Sequence, residues 1–337
     1  MITTRVFGKT SRGEAVRLYK LENSRGEYAE LCDLGAVIHS IVTRDRWGRL
    51  GDNVLGCPDV EHMEGKSFKG ATIGRCANRI AFGRCRLHGQ EVQLEVNEAP
   101  NILHSASGNY AFKLFSASID PIKNSVTFSY KDPGPEGYHD NVDVKVTFTF
   151  DDTSALTIHY ELTPERETVL CPTNHAYFNL SGFGDARDMW LQLLSTNRAH
   201  RGAGNVPDGG LDPVAGTAYD FFIPRTLRSA MGDTVKGYDD FYVVDRIRKD
   251  NLIAELYSPA TGKVMHTYTD MQGAILYTPT NCDTRPDKSG ITLPPYGAVC
   301  IECQFVPNAV NCPEFDSPVF GPGQKLVTET VYKFGVR

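Results

Sequence analysis

Two short segments of this chain put a proton-handling side chain on the polar side of a strand-like pattern. In Ala298-Val-Cys-Ile-Glu-Cys-Gln-Phe305 one parity carries Val299, Ile301, Cys303 and Phe305, and the other carries Ala298, Cys300, Glu302 and Gln304. Successive strand side chains point to opposite faces, so the Glu302 carboxylate faces away from the apolar side. In Thr173-Asn-His-Ala-Tyr-Phe-Asn179 the parity Thr173, His175, Tyr177, Asn179 is polar or aromatic, while Ala176, Phe178 and Leu180 continue the opposite side. Two strands that each line one face with hydrogen-bonding groups build the kind of cleft that takes a sugar, with aromatic walls, amides and a few ionisable groups. The same pattern also describes the wet face of an antiparallel sheet, and one strand alone does not separate the two readings.

The elements that must position these residues are β-strands. Val142-Asp-Val-Lys-Val-Thr-Phe-Thr-Phe150 alternates strictly, with apolar residues on one parity and polar ones on the other. The turn residues Asp151-Asp-Thr-Ser154 separate it from Ala155–Leu162, which predicts an antiparallel pair. Further strands are expected at 28–34, 37–43, 126–130, 190–194, 241–244, 252–257, 264–269 and 274–278, each bounded by Gly, Pro, Asn or Asp. Helical periodicity is confined to single turns such as Val60–Glu64. Many strands with little helix predict an all-β, antiparallel sandwich or barrel. No linker, charge block or repeat divides the chain, so residues 1–337 are expected to form a single domain.

Composition narrows the function class. The 337 residues are 41% hydrophobic and 23% charged, which excludes a disordered tail, a coiled coil and a collagen-like rod. A net charge of −6 without long basic runs argues against a nucleic-acid surface and favours a neutral or small polar ligand. No stretch reaches the roughly eighteen uncharged apolar residues of a membrane helix, and no export signal is visible, so a cytoplasmic location is expected. Nine cysteines at scattered spacings make a poor disulfide scaffold. The single CxxC, Cys300 to Cys303, falls on a strand, where that odd spacing sends the two sulfurs to opposite faces and weakens a zinc or redox reading.

The segments around these strands resemble the galactose mutarotase (aldose 1-epimerase) family over nearly the whole chain. Gly74-Arg-Cys-Ala-Asn-Arg-Ile80 is similar to its G-R-x-A-N-R-I segment, Leu103-His104 to the start of its L-H-G-G loop, and Thr173–Gly182 to its T-N-H-x-Y-F-N-L-x-G block. Pro213–Asp220 and Gly237-Tyr-Asp239 follow in order, and Glu302–Asn311 resembles E-T-Q-x-x-P-D-A-x-N. The resemblance implies a large antiparallel β-supersandwich and reversible interconversion of the α and β anomers of a free aldohexose such as galactose or glucose. It implies no metal and no organic cofactor; charge and hydropathy leave no nucleic-acid or membrane partner expected, and a monomer or weak homodimer is expected. It makes Glu302 the general base and His175 the general acid, with Asn78, Arg79, His104 and Asp239 holding the sugar.

Ring opening needs such a pair. A base takes the anomeric hydroxyl proton while an acid protonates the ring oxygen, each transfer worth about a hundredfold to ten-thousandfold. Rotation about C1–C2 then exposes the other aldehyde face, and closure reverses the proton roles. These roles require an ionised Glu302 and a charged His175. Because a free imidazole titrates near pH ~6.5, a neighbouring acid such as Asp239 is expected to raise it and to place the His limb of a bell-shaped profile above neutrality.

Two departures from the family pattern stand out. Ser105 and Ala106 replace the glycines after the loop histidine, so that loop is expected to differ in shape, and Ile275 stands where the family often has a sugar-binding Gln. Two other functions stay open: a non-catalytic sugar-binding or sensing protein, and a sugar-phosphate epimerase using Arg84 and Arg86, which read more simply as a surface hairpin. The seven remaining histidines receive no role.

Overall fold

The computed structural model describes residues 1–65, 67–134, 138, 140–245, 249–281 and 285–337. Three antiparallel sheets dominate it. A five-stranded meander runs Ile2–Lys9, Ala15–Glu22, Tyr28–Cys32, Val37–Arg44, Leu50–Asp52. A nine-stranded sheet has the order Ser116–Asp120, Ser125–Asp132, Val142–Phe150, Ala155–Pro164, Leu326–Val336, Lys263–Thr269, Leu252–Tyr257, Trp190–Leu193, Arg225–Thr226. A second five-stranded sheet, which carries the site, has the order Pro207–Pro213, Asn197–Arg201, Asp239–Val243, Gly273–Tyr277, Cys300–Gln304. Helix is limited to short pieces such as Val60–Glu64, where Asp59 caps the turn by accepting from the His62 amide at 2.8 Å. The all-β antiparallel expectation holds.

The alternating strand forms over Val142–Phe150 as its pattern predicts, and it pairs antiparallel with Ala155–Pro164. Val142, Val144, Val146, Phe148 and Phe150 are buried in the main core while the odd-numbered residues between them face outward. Burial of each such side chain stabilises by roughly 1.5–3 kcal/mol, which holds the register because a one-residue slip would expose the whole set. The longest strand, Leu326–Val336, joins the two halves of the large sheet and carries no clear apolar signal. Its inward positions include Thr328 and Thr330, whose polarity dilutes the alternation.

The site sheet separates two environments. Registers Asp239↔Tyr277↔Cys300 and Phe241↔Ile275↔Glu302 place these six residues on one face. The intervening residues Tyr242, Ala274, Leu276, Ile301 and Cys303 enter the main core. Tyr332 of the large sheet donates to the Ile301 carbonyl at 3.0 Å, fastening that core side. The opposed faces of Cys300 and Cys303 are therefore as the strand parity predicts, and every described cysteine is buried.

Candidate active site

His175 is delivered to Glu302 by backbone pairing. The segment expected to be one strand from Thr173 to Asn179 is a short strand, Thr173–Asn174, followed by irregular chain that returns to the ladder at Phe178. Phe178 and Val299 exchange amide hydrogen bonds at 2.8 and 2.9 Å, and Thr173 Oγ1 donates to the Cys303 carbonyl at 2.9 Å. His175 lies between those two fastenings and Glu302 lies between their partners. The His175 backbone donates to Ala71 and accepts from Gly70, both at 2.9 Å. Gly70 sits at φ +74° with the Ile38 carbonyl 2.1 Å from where a Cβ would stand, so no other residue fits there.

The result is a buried acid–base pair. His175 Nε2 is 3.5 Å from Glu302 Oε1, and both residues are almost wholly buried. Aromatic rings fix the imidazole: Tyr177 stacks on it at 5.0 Å between centroids, and Tyr277 meets it edge-on at 5.8 Å. Phe68 stacks more distantly at 6.1 Å. Phe68, Tyr177 and Tyr277 also line a cavity of about 550 Å³, so the walls around the imidazole continue into open space of ligand size.

The other expected residues assemble around this pair. His104 Nδ1 accepts from the Asn78 amide at 3.0 Å, and the His104 amide donates to the Asn78 carbonyl at 2.9 Å. That acceptor role leaves the proton of the neutral ring on Nε2. The His104 ring lies edge-on to His175 at 5.7 Å. Arg79 Nη1 is 3.3 Å from Asp239 Oδ2, while Arg79 Nη2 donates to Glu98 Oε1 at 2.9 Å. Glu302, His175, Asn78, Arg79, His104 and Asp239 thus converge on one region.

The expected charge states do not hold in the sugar-free site. Burial pulls His175 down to about 4, the reverse of the raised value expected from Asp239. The Asp239 carboxylate instead acts on Glu302, which burial first and Asp239 second push well above the ordinary carboxylate range, against the opposing pull of Arg79. Desolvation disfavours the charged form of each group, so burial favours the neutral pair with the proton on the carboxyl. Burial likewise holds His104 well below its ordinary value. His175 Nδ1 and Glu302 Oε2 are buried and make no hydrogen bond among the described residues.

The altered loop runs through backbone conformations that suit glycine. Ser105 and Ala106 adopt φ of 59° and 48°, the left-handed region that favours glycine. Ser105 offsets that strain with its hydroxyl, which accepts from the Cys76 amide at 2.8 Å and donates to the Cys76 carbonyl at 3.1 Å. Ile275 stands directly across the ladder from Glu302 and packs with Phe241, Ala199, Val306 and Ala309. An apolar neighbour there withholds the hydrogen bond an amide would give, in keeping with the raised carboxyl.

Tyr277, Phe68, Glu98 and Cys300 belong to the site and were not assigned to it from sequence. Tyr277 becomes visible only once the register with Asp239 is known, whereas strand parity already puts Cys300 on the face of Glu302. Arg75, in the same motif as Arg79, is structural: it is fully buried, 2.8 Å from Asp132, with Tyr138 under its guanidinium. Arg84 and Arg86 lie on the surface hairpin that pairs Arg84–Leu87 with Gln90–Gln93, and they bond to Gln93 and to the Gly89 carbonyl. Cys282 and His139 lie outside the described residues, and among those described no helix is long and apolar enough to cross a membrane.

The chain is similar to known proteins over nearly all of its length. The chain is 32% identical to a galactose mutarotase of Rattus norvegicus over 99% of each sequence. It is 28% identical to an aldose 1-epimerase of Escherichia coli (strain K12) over 96% of each. The solved structure of a GalM/aldose epimerase homologue from C. elegans superimposes with a TM-score of 0.89 at 25% identity, covering 95% of this chain and 98% of that one. A galactose 1-epimerase from Lactobacillus acidophilus NCFM shares the fold with a TM-score of 0.85. With an aldose 1-epimerase family model matching residues 17–333, and with motif residues from five separate stretches of chain meeting in one region, the chain belongs to the aldose 1-epimerase family.

Proposed function

We propose that this chain interconverts the α and β anomers of free aldohexoses, galactose and glucose among them, with Glu302 and His175 moving the protons. The observation that carries the reading is the buried approach of His175 Nε2 to Glu302 Oε1 at 3.5 Å. One proton shared by this pair suffices for the reaction. The neutral resting form and the ionic form carry the same net charge and differ only in which residue holds that proton.

A sugar entering along the aromatic wall supplies what the ionic form lacks in the dry site. Its anomeric hydroxyl donates to the Glu302 carboxylate, and its ring oxygen accepts from the His175 imidazolium. Hydrogen bonds to a charged group favour that charge against desolvation. Glu302 then takes the anomeric proton while His175 protonates O5 and the C1–O5 bond opens. After rotation about C1–C2, His175 takes the proton back from O5 as O5 attacks C1, and Glu302 returns its proton to the C1 oxygen, which restores the starting pair. Arg79, Asp239, Asn78 and His104 hold the hydroxyls, keeping C1 and O5 over the pair. Rotation in a dry, hydrogen-bonded pocket restricts the open chain to reclosure rather than escape.

In this reading the working unit is a monomer or weak homodimer. Polarimetry of freshly dissolved α-galactose, α-glucose and α-glucose 6-phosphate tests the reading. Faster relaxation of both free sugars is expected. A protein that binds them and leaves the spontaneous rate untouched contradicts it, and preference for the phosphate points to the sugar-phosphate reaction instead.

A further inference from the structure

Cys300 shares the site face with Glu302, two residues along the same strand, and is fully buried. One ligand atom from each of His175, Cys300 and Glu302 lies within 4.8 Å of the other two. The proton-transfer scheme uses the imidazole and the carboxylate and leaves the thiol without a part.

We propose that these three side chains form a zinc-class metal site at the catalytic pair, so that a thiophilic divalent cation and the sugar compete for the same atoms. A nitrogen, a sulfur and an oxygen are the donor types that zinc accepts, and three protein ligands leave a fourth position for water. Bond lengths of about 2.0–2.3 Å put tetrahedral ligands roughly 3.3–3.6 Å apart. The His175 to Glu302 separation of 3.5 Å already has that spacing. From a separation within 4.8 Å the thiol needs to close by up to about 1.2–1.5 Å to join them, a shift within reach of side-chain rotation.

Charge balance supports the same conclusion. A divalent ion held by one thiolate, one carboxylate and a neutral imidazole makes a site of zero net charge, the condition under which charges survive burial. Glu302 Oε2 and His175 Nδ1 are buried without a hydrogen-bond partner among the described residues, so no hydrogen bond at those atoms draws either side chain toward another group. The occupied site is an inhibited state, because the ion ties up both proton-transfer groups.

The test uses the full chain, stripped of metal, with cobalt(II) as a spectroscopic stand-in and zinc(II) as inhibitor. Wild type is expected to show a thiolate-to-cobalt charge-transfer band that Cys300→Ser abolishes. Zinc is expected to slow mutarotation competitively with sugar, and Cys300→Ser to weaken that inhibition at least tenfold relative to its own metal-free rate. Cys300→Ala replaces Cys300→Ser should the hydroxyl prevent folding, as judged by circular dichroism. The proposal is overturned by the absence of a band in wild type at saturating cobalt, by a band that persists in the variant, or by equal zinc inhibition of both. The cobalt band is read without any sugar, so it stands or falls independently of the catalytic reading.

Discussion

Arg79 Nη1 lies 3.3 Å from Asp239 Oδ2, and the two charges so joined act on Glu302 in opposite directions. Asp239 raises the carboxyl and Arg79 lowers it. The competent free enzyme holds one proton on the pair. It gains a second at the acid limb, as His175 titrates near about 4, and loses its only proton at the alkaline limb, as Glu302 ionises. In the pH dependence of kcat/KM, Asp239→Asn should move the alkaline limb down and Arg79→Gln should move it up. Shifts in the same direction, or an alkaline limb indifferent to both, would contradict this assignment.

Stability carries the same signature. A carboxyl whose folded pKa is raised contributes stability that is fully present below its unfolded value and is lost as pH rises through the folded one. Glu302→Gln removes that loss. Its melting temperature should match wild type near pH 4 and exceed it by about 2 °C or more at pH 8. His175 behaves oppositely, losing stability as pH falls from ~6.5 toward about 4. Melting curves from pH 4 to pH 8 check both, and a Glu302→Gln advantage that shrinks with rising pH would defeat the argument.

The two arginines of one motif should separate cleanly. Arg75→Ala leaves the buried Asp132 unpaired, a loss of about 3–5 kcal/mol by denaturant titration. Arg79→Ala breaks partly exposed pairs with Glu98 and Asp239 worth about 1 kcal/mol or less, so it should raise KM with little change in stability. Equal destabilisation by the two variants is the result that would not fit.

Ser105 ties a left-handed turn to Cys76, next to the Asn78–His104 backbone exchange. Ser105→Ala leaves the buried Cys76 amide without that acceptor, a loss of about 1–3 kcal/mol, and should raise KM by loosening His104. Ser105→Gly relaxes the backbone without restoring the tie, so it should not recover KM. Full recovery by glycine would show that the hydroxyl is dispensable.

Much of the fold was legible because its central strands alternate cleanly. Val142–Phe150, Leu252–Tyr257 and the turn Val60–Glu64 form where the pattern puts them. Leu326–Val336 was missed because threonines occupy inward positions, and propensity alone does not separate a buried Thr from an exposed one. The site residues were legible through motif similarity, and strand parity gave the facing of Glu302 and Cys300. Register was not legible. It alone joins Tyr277 and Cys300 to Asp239, and it sets Ile275 against Glu302. The direction of the His175 shift was missed for a related reason. Sequence offered a neighbouring acid but no measure of burial, and burial is the larger influence.

The most direct test of the acid–base pair is the mutarotation rate of freshly dissolved α-galactose with wild type, Glu302→Gln, His175→Gln and the double variant, each shown to be folded. Groups that act as one unit give non-additive losses. Each single variant should lose about a hundredfold to ten-thousandfold, and the double variant should be little slower than the worse single one. Near-wild-type turnover in either single variant, or losses that simply multiply, would mean that Glu302 and His175 do not share the proton that opens the ring.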